Sequence, residues 1–357
     1  MPLIARTAAP ASSTTTTLPG AAGEYLPTST EVASTPPLAR KRSWLIAALG
    51  LFAALVIAIE APGPVRALIV LTAWLLVPGW ALIRHVAVPE RAARVALVVV
   101  SSGTIAALAS VIMVWTQWWY PLPVAVCVLV VASVSLIVPA ASAPVHVAAT
   151  PRSALNPSRR LARLWPWGVL VGAITLWLIS LARTSTDDLG QWGLLPEFPA
   201  TWYIGVALAA VLCIGSVVRF QFPTGLMSAS VASLVVMLYG SAGLVEEAPR
   251  LPWIYKHIAV TSYIDANGAV DPQIDLYNRW PGFFSTSAFL GQAIGYPNPV
   301  DYAAWAEVGF ALIGVVLVLA IARVFSRNSQ WVWTVALVFI VGNWVGQNYY
   351  SPQAFAF

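Results

Sequence analysis

Residues 96–115 read ALVVVSSGTIAALASVIMVW, twenty consecutive residues without a charged side chain. About 20 residues of this kind form a helix that crosses the hydrocarbon core of a bilayer. Similar runs recur along the chain, which has 357 residues, 59% of them hydrophobic and only 9% charged. An ordinary soluble domain carries about 25% charged residues. The composition therefore excludes a water-soluble globular protein and predicts an all-α, polytopic transmembrane helical bundle.

Apolar runs bounded by charged residues, prolines or polar clusters predict about nine membrane spans. They lie near residues 44–60, 65–84, 93–115, 122–143, 166–183, 201–219, 223–245, 302–323 and 331–345. The first two are joined by Pro62, Gly63 and Pro64, so a tight helical hairpin is an alternative there. Residues 246–301 form the one long polar loop of this arrangement, and we expect interfacial helices within it.

Composition and charge predict the domains and the orientation. Residues 1–43 are rich in alanine, serine, threonine and proline and have no apolar periodicity, which predicts a disordered cytoplasmic tail. Residues 44–164 form an amino-terminal transmembrane region, and residues 165–357 form a transmembrane core. With the amino terminus in the cytoplasm, most of the 19 basic residues fall on the cytoplasmic side, as the positive-inside rule requires. The long loop then faces outward, in a multi-pass protein of the plasma membrane.

The net charge of +5 does not indicate a nucleic-acid partner. The basic residues occur in short clusters between apolar runs and form no groove with interleaved aromatic residues. We interpret them as determinants of topology and expect the lipid bilayer as the partner. The two cysteines, Cys127 and Cys213, lie inside apolar runs, so neither a disulfide framework nor a Cys-x-x-Cys metal site is expected.

Two adjacent glutamates, Glu246 and Glu247, follow the seventh predicted span at the outer rim of the membrane. Neighbouring like charges disfavour double ionisation, and a carboxyl group in such a place suits the removal of a proton from a sugar hydroxyl. We therefore take the pair as candidate catalytic residues. A solvated start of the loop is the alternative interpretation of the same two residues.

The loop also predicts a short interfacial helix with cations on or beside it. Trp253, His257 and Ile264 give an amphipathic pattern that ends at Asn267 and Gly268. Basic side chains above a bilayer suit a phosphate or pyrophosphate group. The candidates are Arg250, Lys256, His257 and Arg279. Pairing of these cations with nearby acids and lipid headgroups is the alternative.

Three aspartates, Asp265, Asp271 and Asp275, recur within eleven residues, but their spacing matches no EF-hand loop. We predict no metal site from them. A divalent cation held in part by a substrate phosphate is the alternative that stays open. Asp275 is grouped with the candidate substrate-binding residues. No soluble cofactor is implied.

Two aromatic segments are expected to approach the ligand. Residues 280–284 read WPGFF and predict a kinked segment that returns toward the membrane, where irregular backbone must be buried in protein or line a wet cavity. Residues 343–353 read NWVGQNYYSPQ, and their amides and tyrosines suit a hydroxyl-rich ligand. The candidates are Trp280, Gln347, Asn348 and Tyr349. An aromatic belt at a helix end is the alternative for the second segment.

These segments resemble those of a known group of enzymes. The stretch from Glu246 to Phe284, with YKH and DLYNRWPGFF, and the later NWVGQNYYSPQ are similar to actinobacterial integral membrane proteins of the GT-C superfamily. That superfamily contains glycosyltransferases that use polyprenyl-phosphate-linked sugars. The resemblance covers about residues 165–357. It implies a polyprenyl-phosphate sugar lipid as donor, a cell-envelope glycan or lipid as acceptor, inverting transfer of a hexose or pentose, and a catalytic base at Glu246 or Glu247.

The chain departs from the proteins it resembles. Their acidic pattern contains an aspartate where this chain has two glutamates, and an aspartate stands near the position of Asn348. They are also longer, which predicts a chain that is incomplete at its carboxy terminus. A non-catalytic lipid-binding or scaffold protein is therefore the first rival hypothesis. A transporter or flippase is the second, and it would place its binding site near the midplane on interrupted helices, often with charge there.

Overall fold

The computed structural model describes residues 37–138, 164–187, 189–220, 223–249, 251–342 and 348–356. Within these ranges the chain forms fourteen α-helices and no strand, so the all-α prediction is confirmed there. The helices are α1 (Pro37–Ala58), α2 (Pro64–Ile83), α3 (Arg91–Thr116), α4 (Pro121–Ile137), α5 (Trp165–Leu181), α6 (Ala200–Gly215), α7 (Thr224–Val245), α8 (Pro252–Asn267), α9 (Leu276–Arg279), α10 (Gly282–Ile294), α11 (Val300–Ala303), α12 (Ala306–Phe325), α13 (Ser329–Gly342) and α14 (Pro352–Ala356). A π-helical turn, Ser216–Phe220, continues α6. Residues 37–43 of the predicted tail belong to α1, and residues 1–36 lie outside the described ranges.

Helices occupy all nine positions that the sequence predicts as membrane spans. Six helical stretches of the described ranges are long and apolar enough to cross a bilayer, namely Lys41–Ala58, Pro64–Ile83, Arg91–Thr116, Ala200–Val218, Thr224–Val245 and Ala306–Phe325. The other three helices, α4, α5 and α13, are apolar but have only 17, 17 and 14 residues. The six long helices indicate a multi-pass membrane protein, and the crossing of the three shorter ones stays a prediction.

Local sequence signals explain where several helices begin. Pro64 and Pro121 stand at the first position of α2 and α4, where the proline φ fits and no intrahelical N–H bond is lost. Glu90 caps α3, since its side chain accepts a hydrogen bond of 2.7 Å from the backbone N–H of Ala93. These starts agree closely with the boundaries expected from the apolar runs.

The membrane helices form two packed groups. In the first group, α1 packs on α2 and α4, and α2 packs on α3, around an apolar cluster that includes Trp74 and Leu129. In the second group, α5, α6, α7, α12 and α13 surround a cluster that includes Trp177, Met227 and Trp333. Because α12 also packs along α3, the two groups are joined directly.

A glycine allows α2 and α3 to approach each other closely. A Cβ atom on Gly79 would lie 1.9 Å from the backbone oxygen of Val98. The N–H of Gly79 donates a hydrogen bond of 2.9 Å to Ser102 Oγ. Small residues at helix contacts in membranes permit this kind of close backbone packing.

The long loop returns among the membrane helices as α10. Nine of its 13 residues are buried. The ring of Phe289 meets Trp74 of α2 edge to face, with centroids 5.0 Å apart. Ser285 Oγ lies 3.1 Å from Ser110 Oγ of α3. This packing fits the segment that the sequence predicts to turn back toward the membrane.

Arg66 of α2 forms hydrogen bonds with the carboxyl end of α10. Its Nε donates to the Ala293 carbonyl at 3.0 Å, and its Nη2 donates to the Gln292 carbonyl at 3.1 Å. Carbonyl groups in the last turn of a helix lack their usual partners four residues on, and a cation there also interacts favourably with the helix dipole. Gly295 ends α10 with a φ of 83°, and a Cβ atom at this glycine would lie 2.9 Å from the Arg66 side chain.

We expect Gly79→Ala to destabilise the protein, because its methyl group would overlap the Val98 carbonyl and force α2 and α3 apart. Overpacking of this kind costs about 1–3 kcal/mol, which lowers the melting temperature of the protein in detergent by several degrees. Gly103→Ala is the matched control, since nothing lies within 4 Å of a Cβ atom at Gly103. Equal melting temperatures for the two variants would contradict the close approach.

Candidate functional site

The two candidate catalytic glutamates directly follow α7 and differ in their exposure. Glu246 follows the last residue of α7, and its N–H donates to the Ala242 carbonyl at 2.8 Å. Glu246 is half-buried, whereas Glu247 is exposed. Of the two, Glu246 therefore lies against the helices, and Glu247 fits the solvated loop start that the sequence left as an alternative.

Glu246 lines a small cleft together with Glu307 at this end of the bundle. The other walls come from α7, from Ile254 of α8 and from Ala304, just before α12. The cleft has a volume of about 20 Å³, which is room for about one water molecule. Both glutamates also interact with other groups of the protein, so neither is a free carboxylate.

Glu307 was not among the candidate site residues predicted from the sequence. It lies in the first turn of α12, where an acidic side chain is a common stabilising feature because of the helix dipole. An acid in an otherwise apolar run is the one local sign of a site, and a side chain that reaches the interface explains it equally well. Only the packing of α12 against α7 brings Glu307 to the cleft that Glu246 lines.

Residues 348–350 connect this cleft to α8. Asn348 Nδ2 donates to the Glu307 carbonyl at 3.1 Å. The ring of Tyr349 stacks on His257, with centroids 6.0 Å apart. Asn348 and Tyr349, which were predicted to bind substrate, thus lie between the cleft and α8. Gln347, the third such candidate in this segment, lies outside the described residues.

His257 lies in an aromatic environment and is only 3% exposed. Its Nδ1 donates to the Tyr350 carbonyl at 2.8 Å, and the rings of Tyr277 and Phe284 lie 5.4 and 5.8 Å from its own. Burial lowers the pKa of His257; the bond to the carbonyl opposes this shift, and the charge of Lys256 adds to it. These surroundings favour a neutral imidazole, and a role of His257 as a phosphate-binding cation stays a prediction.

Lys256 and Asp275 form an ion pair. Lys256 Nζ lies 3.9 Å from Asp275 Oδ2 and 4.7 Å from the centroid of the Tyr277 ring. Asp275 also caps α9 by accepting a hydrogen bond of 3.1 Å from the N–H of Asn278. Partial burial raises the pKa of Asp275, but the Asn278 bonds and the Lys256 charge outweigh it and hold the pKa below its usual value. This pairing matches the alternative in which the loop cations bind nearby acids.

The remaining candidates of the loop are exposed. Arg279 Nε donates to the Pro272 carbonyl at 3.0 Å in an exposed turn, and Trp280 is 75% exposed. Trp253, which the sequence placed on one face with the buried His257, is 72% exposed in the first turn of α8. Exposed tryptophans at helix ends are typical of the interfacial belt of membrane proteins. The last candidate, Arg250, lies outside the described residues.

The three loop aspartates have separate local partners. Asp265 accepts hydrogen bonds from Gln292 Nε2 on both carboxylate oxygens, at 3.1 and 3.0 Å, and burial raises its pKa. Asp271 accepts from the N–H of Gln273 at 2.9 Å, and Asp275 caps α9. Where the structure describes the chain, no group of three or more histidines, cysteines, aspartates or glutamates could hold a metal ion. The divalent cation thus stays a prediction that needs substrate oxygens.

A network of hydroxyl groups lies beside His257. Thr261 Oγ1 lies 2.8 Å from the hydroxyl of Tyr350, and the hydroxyl of Tyr302 donates to the Ser287 carbonyl at 3.0 Å. Burial raises the pKa of both tyrosines, so both hydroxyl groups stay protonated at neutral pH. This network could not be predicted from the sequence, because its members come from separate segments and none of them is unusual by itself.

No protein-family model, curated protein or solved structure matches this chain. The site is therefore defined by its own geometry. Glu246 and Glu307 line one cleft, Asn348 is bound to Glu307, and Tyr349 stacks on the buried His257. The GT-C resemblance stays a prediction from the segments quoted above.

We expect the packing of α8 against residues 348–350 to loosen on acidification. Because the pKa of His257 is lowered in the folded protein, the unfolded chain binds the proton more readily. The stabilisation is present above the ordinary histidine pKa of about 6.5, and it is lost as the pH falls below that value. Hydrogen exchange of the α8 amides, corrected for intrinsic rates, should show this loss of protection between about pH 7.5 and about pH 5.

Two histidine variants make this test specific. His257→Gln keeps a donor for the Tyr350 carbonyl and should remove the pH dependence. His85→Gln changes an exposed histidine between α2 and α3 and should keep it. Protection of α8 that does not change over this pH range in the wild type would contradict the buried neutral imidazole.

Proposed function

We propose that the chain is a membrane glycosyltransferase of the GT-C type, which transfers a sugar from a polyprenyl-phosphate lipid to a cell-envelope acceptor. We assign the end of the bundle that carries Glu246 to the outer face of the plasma membrane, with the amino terminus in the cytoplasm. The resemblance of the loop and of residues 343–353 supports this proposal. The distribution of basic residues between the apolar runs supports the orientation.

The position of Glu246 in the cleft is the observation on which the proposal depends. A general base must lie within about 3 Å of the hydroxyl that it deprotonates, and a half-buried carboxyl group at the mouth of a cleft can meet that requirement. Glu246 takes the proton of the acceptor hydroxyl while the acceptor oxygen forms a bond to the anomeric carbon of the sugar. The bond from that carbon to the phosphate oxygen breaks, and the lipid phosphate leaves with the electron pair.

The size of the cleft restricts how the substrates bind. A volume of about 20 Å³ admits one hydroxyl group and no sugar ring. The donor sugar therefore lies over the mouth of the cleft, and the acceptor hydroxyl points into it. We assign Lys256 to the leaving phosphate, because its side chain is half-exposed and its 3.9 Å distance to Asp275 is longer than a direct charge-assisted hydrogen bond.

A non-catalytic lipid-binding protein is the second candidate function. It is favoured by the buried, neutral His257 and by the ion pair of Lys256, which leave fewer cations for a departing phosphate than the sequence predicts. Such a protein binds polyprenyl phosphate without transferring a sugar. It does not need the carboxyl group of Glu246.

We expect Glu246→Gln to lower the rate of sugar transfer by about 10²–10⁴-fold, which is the usual contribution of general-base catalysis. Glu247→Gln makes the same chemical change at the next, exposed residue, and it should keep a rate close to that of the wild type. The assay follows radiolabelled hexose or pentose from synthetic polyprenyl-phosphate sugars to a cell-envelope extract, with the full chain in lipid nanodiscs.

Transfer by Glu246→Gln at the wild-type rate would contradict the base role. If the wild type transfers no sugar from any donor of the panel but binds polyprenyl phosphate in native mass spectrometry, the lipid-binding function is favoured instead. In that case both glutamine variants should bind the lipid phosphate as the wild type does. Transfer that depends on Glu246 therefore supports the transferase, and lipid binding without transfer supports the lipid-binding protein.

A further inference from the structure

A second cavity lies at the opposite end of the bundle from Glu246. It is formed where α6 ends and where α7 and α13 begin, and its volume is about 320 Å³. Pockets that bind small ligands have volumes from about 300 Å³ upward. Because α7 has 22 residues and carries one site at each end, the two sites are separated by roughly 33 Å along the helix.

The cavity is lined by exposed polar side chains and by one buried aromatic side chain. Ser216 and Trp333 are buried, whereas Thr224, Asn328 and Ser329 are exposed. Hydroxyl and amide groups both donate and accept hydrogen bonds, so this set suits a ligand that carries several hydroxyl groups. In capping α13, Asn328 uses the oxygen of its amide, which accepts from the backbone of Gln330 at 2.9 Å.

The backbone beside the cavity is unusual. α6 ends in the π-helical turn Ser216–Phe220, and Ser216 and Val217 of this turn form part of the cavity wall. π-helical turns are rare and often lie at functional sites. The same turn packs against α13.

This end of the second helix group carries no negative charge. The sequence has no acidic residue between Glu197 and Glu246 and none after Glu307. As a result, α6, α7 and α13 contain no acid, and the one acid of α12 stands at the far end of that helix. A ligand in the cavity therefore meets no repulsion from a carboxylate if it is an anion.

Among the arginines whose side chains the structure describes, two closely precede the cavity wall in the sequence, namely Arg323 and Arg327. Arg327 directly precedes Asn328, and Arg323 Nη1 donates to the Arg327 carbonyl at 3.0 Å. In the described part of the chain neither arginine forms an ion pair, since the pair found there joins Lys256 and Asp275. Guanidinium groups form strong hydrogen bonds with phosphate, and basic pockets between membrane helices bind anionic lipid headgroups.

We propose that this cavity binds the headgroup of an anionic phospholipid that carries hydroxyl groups, of which glycerol phosphate is the simplest example. Arg323 and Arg327 bind the phosphate, and Thr224, Ser329 and Gln330 bind the hydroxyl groups. Exposed apolar side chains at the end of α6, namely Ile214 and Val218, offer a surface for the acyl chains. The site is separate from the cleft of Glu246 and does not depend on the proposed transferase function.

The test measures lipid binding by native mass spectrometry on the full chain, purified in detergent and freed of lipid. The probes are phosphatidylglycerol, phosphatidylcholine and soluble glycerol 3-phosphate. We expect phosphatidylglycerol to bind and phosphatidylcholine not to bind. Arg323→Gln combined with Arg327→Gln should weaken the binding by about ten-fold or more, because hydrogen bonds to a charged group are lost.

Two further variants separate this site from general surface charge. Thr224→Val combined with Gln330→Leu removes hydrogen-bonding groups without changing the charge, and it should also weaken the binding. Arg183→Gln is the matched control, because it removes an exposed arginine just after α5, at the other end of the bundle. It should bind phosphatidylglycerol as the wild type does. Melting temperatures of all variants verify that each one is folded.

Binding of phosphatidylglycerol that glycerol 3-phosphate does not displace supports a lipid headgroup as the ligand. If glycerol 3-phosphate binds by itself and its binding also depends on the two arginines, the cavity is supported as a site for a phosphate ester with hydroxyl groups. The ligand is then a soluble phosphate ester and not a lipid headgroup. Equal binding of the two phospholipids overturns the proposal. So does an equal loss of binding in Arg183→Gln and in the double arginine variant.

Discussion

The hydrogen bonds from Arg66 to the last carbonyls of α10 are the interaction on which the site depends. A helix that ends inside the protein needs hydrogen-bond donors for its last carbonyl groups. Arg66 supplies two of them from the start of α2. α10 then holds Phe284 against His257, and His257 in turn binds the backbone of Tyr350. Through residues 348–350 this chain of contacts ends at Glu307 and the cleft.

The positions of the membrane helices could be predicted from the sequence, because apolar length and the residues that bound it are local properties. The same is true of the end of α8 at Asn267, since Gly268 adopts a φ of 61° that favours glycine. The partners of the site residues could not be predicted this way. His257 binds the backbone of a residue 93 positions away, and nothing in its neighbourhood records that contact. A histidine next to a lysine therefore indicated a charged patch, although the fold buries it.

The same limit applies to the acids of the site. Glu246 and Glu247 are indistinguishable in the sequence, and the direction in which α7 ends decides which of them meets the cleft. Glu307 is an acid in a predicted span that could equally well reach the interface, and only the packing of α12 on α7 brings it to the cleft. The three loop aspartates form a cluster in the sequence that suggests a metal site. In the fold each has its own hydrogen-bond partner, and one of them, Asp275, caps α9.

The burial of α10 has a consequence for the order in which the molecule is assembled. With 13 residues and several hydroxyl groups, α10 is too short to enter a bilayer as an independent span. It packs against α2, α3 and α4, which precede it in the chain, and against the neighbouring loop helix α8. The loop can therefore reach this position only when the amino-terminal helices that contact α10 are packed together.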